Sequence, residues 1–199
     1  MNIKDYTTTD KIYCYENTEI LKNKLNLKNK EKLEEAERYI TKLRQMDLEK
    51  YPIDGKFDLE HLKKIHKKLF SDIYYFAGEL RTIEISKKGS QFCYTRFLND
   101  QGIDILNEIQ KENYYQDLEK KEYIEKIAIL IGNLIHLHPF REGNGRTIRE
   151  FIRELLLITG YEIDYSKSKA SERLEAEILA YNCNYKKLIL LLEIEIEKI

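Results

Sequence analysis

At 199 residues, with 34 Lys plus Arg against 35 Asp plus Glu and a formal net charge of −1, the chain has the length of one domain and a surface of mixed charge. A chain of this length buries roughly 70% of the surface its unfolded form exposes, so it can hold a sizeable core. The even charge balance argues against a dedicated nucleic-acid binder, which carries a basic excess.

Cys14, Cys93 and Cys183 are odd in number, far apart and without C-x-x-C pairing. They read as reduced, packed thiols of a cytosolic protein. No cationic, apolar, small-residue N-terminus announces a signal peptide, and no uncharged run reaches about 18 residues. The expectation is a cytoplasmic protein with no membrane contact and no direct nucleic-acid partner.

In chain order, residues 1–17, with the run Thr7-Thr8-Thr9, show no period and read as an N-terminal extension. A short helix is expected over 18–27. Asn29 reads as the N-cap of a helix over 30–46, with Leu33, Ala36, Tyr39, Ile40 and Leu43 at helical spacing. Residues 52–57 read as a loop. Asp58 is a second N-cap, and Leu59, Leu62, Ile65, His66, Leu69, Ile73 and Phe76 make a helix stripe ending near Gly78. His66, on that stripe, reads as a packed core histidine rather than a catalytic group.

The period then changes. Thr82-Ile83-Glu84-Ile85-Ser86 alternates, Lys87-Lys88-Gly89-Ser90 supplies a turn, and Gln91-Phe92-Cys93-Tyr94 returns. This is a β-hairpin over 82–94, with a plain connector as the alternative. Helices follow over 97–113 and 119–137, the second with the broad apolar face of a central helix: Tyr123, Ile127, Leu130, Ile131, Leu134 and Ile135. Another is expected over 145–159, with Gly160 as its C′ residue. Two more close the chain over 167–182 and 185–198, although Glu193-Ile194-Glu195-Ile196-Glu197 also alternates like a strand. The expected class is all-α with one short β-hairpin, in a single domain over 1–199.

Between the two most apolar helices lies His136-Leu137-His138-Pro139-Phe140-Arg141-Glu142-Gly143-Asn144-Gly145-Arg146-Thr147-Ile148-Arg149, where unlike chemical groups are concentrated. Pro139 ends the incoming helix and is expected to push His138 toward extended backbone. Phe140 reads as a core anchor. Gly143 and Gly145 permit backbone angles that let successive N–H groups point into one concavity, and Asn144 is expected to add an amide donor there. The outgoing helix buries Ile148, Phe151, Ile152, Leu155 and Leu156. Arg146 and Arg149 fall in its first turn, where each cation is unfavourable by about 0.3 kcal/mol or more unless an anion is present. A helix N-terminus, a Gly-rich loop and two guanidiniums fit a di- or triphosphate. Glu142 supplies the carboxylate that Mg²⁺ needs beside phosphate oxygens.

Duller readings exist for each part. Arg146, Arg149 and Arg153 could form a solvated face paired with Glu150 and Glu154. His136 and His138, two positions apart on a helix, do not face each other, and no Cys or third His completes a zinc site. The P-loop pattern is absent. The contiguity of His, acid, Gly-Asn-Gly and Arg-x-x-Arg at a helix start weighs against coincidence.

These residues resemble a known family. His138 to Arg149 match all eight specified positions of the Fic motif, H-x-F-x-[DE]-G-N-G-R-x-x-R. Gly55-Lys56-Phe57-Asp58, residues 61–70, and Ile73-Tyr74-Tyr75-Phe76-Ala77-Gly78-Glu79-Leu80-Arg81-Thr82 resemble the family's helix leading to its hairpin, so that residues 18–192 are covered. The resemblance implies a mainly helical Fic fold and transfer of AMP from ATP to a Tyr, Ser or Thr hydroxyl of a target protein. His138 would be the general base and Glu142 would hold Mg²⁺ against the α- and β-phosphates. Gly143, Asn144 and Gly145 would form the anion hole, and Arg146 and Arg149 would grip the β- and γ-phosphates. The hairpin would be the family's flap, with Lys88, Gly89, Ser90, Gln91 and Phe92 near nucleotide and target, aligning the target by strand addition. In the related Doc toxins a bulkier residue stands at the position of Gly143 and the γ-phosphate is transferred; Gly143 therefore favours adenylylation.

Many Fic proteins carry an inhibitory helix with [ST]-x-x-x-E-[GN]. The nearest stretch here, Ser171-Glu172-Arg173-Leu174-Glu175-Ala176, fails at Ala176 and reads as an ordinary core helix. The expectation is a toxin-like enzyme with a small, separate antitoxin-like inhibitor; constitutive activity limited by target access is the alternative. Two other functions stay open: a non-catalytic nucleotide-sensing or partner-binding module, and transfer of another nucleotide monophosphate. A homo-oligomer and delivery into another cell's cytoplasm are also compatible with the resemblance.

Overall fold

The computed structural model describes residues 10–87 and 90–199. Seven helices carry the described chain: α1 (Lys30–Lys50), α2 (Leu59–Phe70), α3 (Leu98–Lys111), α4 (Lys120–Leu137), α5 (Asn144–Ile158), α6 (Ala170–Tyr181) and α7 (Lys186–Glu195). Four short strands pair as two antiparallel ribbons, β1 (Ser86–Lys87) with β2 (Ser90–Gln91) and β3 (Tyr161–Ile163) with β4 (Ile196–Lys198). The fold is mainly helical with a small hairpin, as the periodicities predict. Among the described residues no helix is long and apolar enough to cross a membrane.

Caps fix two helix starts where the sequence places them. Asn29 accepts from the Lys32 N–H and Asp58 from the His61 N–H, each at 2.9 Å, satisfying donors that have no partner inside the helix. α4 is the central helix. Tyr123, Ile124, Ile127, Ala128, Leu130, Ile131, Leu134 and Leu137 are all buried, and α3, α5, α6 and α7 pack around it. α5 buries the predicted stripe and also rests on α2. The loop 138–143 thus lies between two heavily buried helices.

Four expectations change. Residues 18–27 are not helical: Cys14 bridges Leu21, and the Asn23 side chain donates to the carbonyls of Leu21 and Leu27 and accepts from the Leu27 N–H. An Asn that satisfies the backbone itself competes with helix formation. The inward face of α1 is Leu33, Glu37, Thr41 and Leu48, while Tyr39 and Leu43 are exposed. α2 stops at Phe70, and turns then bring Ile73 and Tyr74 back into the core. Finally, the alternating C-terminal stretch is helix as far as Glu195 and strand after it; its partner, β3, has no sequence signal beyond Gly160, which takes the expected left-handed conformation (φ +80°). Cys14 and Cys93 are buried as expected, whereas Cys183 is exposed; all three are free thiols.

Candidate active site

α4 ends by closing its last turn, with the His138 N–H donating to Leu134 O at 3.0 Å. His138 itself is left-handed (φ +45°, ψ +59°) rather than extended. A left-handed residue after the last turn is a common way to cap a helix and reverse the chain. It costs a residue with a side chain about 1–2 kcal/mol, so other contacts must hold it. Arg81 does so twice: its Nε donates to His138 O at 2.9 Å and its backbone N–H to Pro139 O at 2.9 Å. The half-buried imidazole places Nδ1 3.3 Å from Ile135 O. With the proton on Nδ1, donated to that carbonyl, Nε2 carries the lone pair.

Phe140 is the expected core anchor, and its ring stacks on His66 at 3.9 Å and 7°. His66 is the expected core histidine, yet it also reaches the site. Its Nδ1 accepts from the Gly78 N–H at 2.8 Å, which leaves Nε2 to donate to Glu142 O at 3.0 Å. Burial, opposed by the bond to Glu142 and aided by the charge of Arg146, pushes its pKa down to about 3. His66 therefore stays neutral and holds the loop backbone from beneath.

Gly143 caps α5 with φ +81°, and a Cβ there would lie 2.2 Å from the Phe70 ring. Both conformation and space demand glycine. Gly145 differs: it lies in the first turn of α5, outside the left-handed region, and a Cβ would meet nothing nearer than Arg149 at 3.4 Å. Asn144 does not extend its amide into the concavity as expected. Its Nδ2 donates to Phe140 O at 2.7 Å and its Oδ1 accepts from the Phe140 N–H at 2.9 Å, so the side chain closes the loop on itself. The Gly143 N–H does point at an anion: it donates to the Glu142 carboxylate at 2.9 Å.

The arginines divide. Arg146 Nη2 donates to Glu37 at 2.6 Å and Nη1 to Thr41 Oγ1 at 3.0 Å, on the inward face of α1. Burial works most strongly against its charge, but Glu37, Glu142 and Tyr74 together outweigh burial and raise its pKa above the usual value. It lies over the Phe70 ring and 3.7 Å from Glu142. Tyr74 donates its hydroxyl to the other Glu37 oxygen, and burial, then Glu37, push its pKa far up. Arg149 is 35% exposed and faces Glu177 of α6 at 3.8 Å. Arg153 does pair with Glu150, at 2.6 Å, but the Glu150 side chain is buried, so the pair is not part of a solvated face; Glu154, also buried, belongs to His61 at 2.8 Å.

Sequence reasoning missed Glu37, Thr41 and Arg81 as parts of the site. Glu37 sits in a Glu-rich stretch that looks like a solvated face, and only the register of α1 reveals it.

Above the loop lies the hairpin. Ser86 pairs with Gln91 and Lys87 with Ser90; Lys88 and Gly89 fall outside the described residues. The ladder is shorter than the predicted 82–94 alternation. Phe92 is buried and stacks on His138 at 3.8 Å and 13°. Tyr181 of α6 donates its hydroxyl to Gln91 O at 2.6 Å.

Residues 56–156 match the Fic/DOC family. The chain belongs to that family. It is 36% identical over 182 residues to protein adenylyltransferase VbhT of Bartonella schoenbuchensis, covering 92% of this chain but 38% of that protein. It is 32% identical to the probable protein adenylyltransferase Fic of Escherichia coli, covering 77% of this chain and 76% of that one. The crystal structure of BepC, a VirB-translocated effector of Bartonella tribocorum with bound AMPPNP, superposes with a TM-score of 0.85 at 25% identity, covering 94% of this chain and 97% of that one. Family membership is consistent with nucleotidyltransferase chemistry. The stretch nearest to the inhibitory motif lies in α6, where Ala176 is buried and Glu175 pairs with Lys187 at 2.6 Å, in line with its reading as a helix of the core.

Proposed function

We propose that this Fic domain transfers AMP from ATP to a Tyr, Ser or Thr hydroxyl of a target protein. The observation that carries this reading is the arrangement of residues 138–149. A histidine at a helix end, a carboxylate and the N-terminus of α5 share one loop, and the Gly143 N–H already binds a carboxylate oxygen. Such a donor suits a phosphate oxygen equally well.

His138 takes the proton of the target hydroxyl as its oxygen attacks the α-phosphorus. The bond from that phosphorus to the bridging oxygen of the β-phosphate breaks, and pyrophosphate leaves. An imidazole suits the task because its ordinary pKa lies near neutrality. Backbone donors of the loop stabilise charge on the phosphates, and the fixed loop supplies orientation. Arg149, one third exposed in its side chain and 3.8 Å from Glu177, is the arginine assigned to grip the terminal phosphates. Arg146, committed to Glu37 and Thr41, acts from behind Glu142 rather than as a second open clamp. That is a change from the reading in which both arginines grip phosphate.

Among the described residues no group of three or more His, Cys, Asp or Glu could hold a metal ion alone. Mg²⁺ that arrives with ATP needs only one or two carboxylates, and Glu142 fits that role. When bound, the ion would neutralise phosphate charge. The AMPPNP in BepC supports ATP as the nucleotide.

The stretch nearest to the inhibitory motif fails at Ala176, which supports a toxin-like setting. A small separate inhibitor reaching Arg149 is the regulation that fits, and a target strand added to the hairpin is the docking mode that fits. Incubating the chain and a cell lysate with α-labelled ATP and Mg²⁺, with mass spectrometry of labelled bands, tests the reading. Label is expected on target or enzyme with the wild type and none with His138→Ala. Equal labelling by His138→Ala would remove the base from the account.

A further inference from the structure

Arg81 is 2% exposed, and a buried guanidinium is costly unless its donors are well used. Its Nε donates to His138 O at 2.9 Å, its Nη1 to Ile83 O at 2.8 Å and its Nη2 to Cys93 O. The three acceptors belong to three segments: the catalytic loop, the incoming arm of the hairpin and its outgoing arm. Its own N–H binds Pro139 O, and the Cys93 N–H binds His136 O, both near 3 Å. Glu84, 47% exposed in its side chain, stands 3.6 Å away at the rim. The nearer partners are thus backbone carbonyls, at positions that a planar five-donor fork can span and a lysine point charge cannot. The hairpin returns to the base by a second route: Phe92, adjacent to Cys93, stacks on the His138 ring.

We infer that Arg81 is a positioning residue that, with Phe92, couples the hairpin to the left-handed His138, so that a target docked on the hairpin sets the geometry of the base. His138 is held on both sides by groups of the hairpin root, its carbonyl by Arg81 and its ring by Phe92. A strand added to β1–β2 loads the two arms whose carbonyls Arg81 binds, and that load reaches His138 without passing through the nucleotide cradle. The cradle has its own supports: His66 on Glu142 O, Asn144 on Phe140 O and Glu37 on Arg146. The inference rests on the proposed role of His138 as base, and predicts a separation: weakening Arg81 harms transfer and leaves nucleotide binding intact.

The test compares wild type, Arg81→Lys, Phe92→Leu and the double variant. ATP·Mg affinity is measured by calorimetry, kcat and KM by transfer from α-labelled ATP, and the His138 imidazole by its NMR titration. Arg81→Lys is expected to bind ATP as wild type does and to lose kcat about 10- to 100-fold, the scale of a misplaced catalytic group. The His138 titration midpoint is expected to move. The double variant is expected to lose less than the product of the two single losses, because both act on one group. Unchanged kcat, or a fall in ATP affinity as large as the fall in kcat, overturns the coupling, as does fully multiplicative loss. If wild type transfers no label at all, the adenylyltransferase reading fails instead. The NMR titration still decides the coupling: a His138 midpoint unmoved in both Arg81→Lys and Phe92→Leu contradicts it. Should Arg81→Lys not fold, Phe92→Leu alone must show the same split between kcat and ATP affinity.

Discussion

Residues 138–149 and residues 82–94 meet at His138, and they are held by different means. The loop is fixed from below by buried groups far away in sequence: His66 on Glu142 O, Glu37 and Thr41 on Arg146, and Phe140 in the core. The hairpin has a ladder of two residues on each arm and depends on its root and its side: Arg81 beneath, Phe92 on His138, Tyr181 at Gln91. A two-stranded ribbon alone is marginally stable, so contacts at its edges decide its position. The contrast teaches a division of labour. The loop is held by many buried bonds, as the proposed stabilisation of charge by preorganised donors requires, whereas the hairpin is held by few, as the proposed addition of a target strand requires.

Breaking the loop should have the largest effect. Gly143→Val places a β-branched side chain at φ +81° and into the Phe70 ring. Left-handed strain and overpacking together should lower unfolding free energy by about 2–5 kcal/mol in urea denaturation. A loss below about 0.5 kcal/mol would mean that the loop is not the fixed element described. Less drastic is acid. The folded pKa of His66, about 3, lies below its unfolded value, so the unfolded chain gains a proton that the folded chain refuses. That stability is complete above about pH 6.5 and is lost as pH falls toward 3, by about 1.4 kcal/mol per pH unit in the middle of the window. His66→Gln, whose amide can also donate and accept, should flatten the slope of stability against pH by that amount; an unchanged slope would contradict the buried neutral imidazole. The smallest effect belongs to the hairpin. Tyr181→Phe removes one hydrogen bond to Gln91 O and should cost about 0.5–1.5 kcal/mol locally. Faster amide exchange confined to the hairpin residues, with global stability unchanged, is the expected pattern, and exchange spreading to α5 would deny the division of labour.

Sequence periodicity suffices for α3 to α5 and for the start of α2, though not for its end at Phe70, because their apolar stripes are dense, and the candidate loop is legible because its chemistry is contiguous. It fails where tertiary pairing overrides local pattern. The buried face of α1 is set by Glu37 and Thr41 binding Arg146, more than a hundred residues away, so a search for apolar residues picks Tyr39 and Leu43 instead. Asn144 is legible as a loop residue, but nothing local says that its amide turns back to Phe140 rather than outward. Pro139 correctly ends α4, yet the left-handed turn of His138 depends on Arg81 from another segment. β3 and β4 are three residues each and gain their state only from each other.

In the proposed function the loop directs attack to the α-phosphorus, with Gly143 leaving the nucleotide oriented for AMP transfer. Parallel reactions with α-labelled and γ-labelled ATP, read on the same target band, test it most directly. The account predicts label from α-labelled ATP alone, lost in His138→Ala; label from γ-labelled ATP would contradict it and make the chain a kinase-like phosphotransferase.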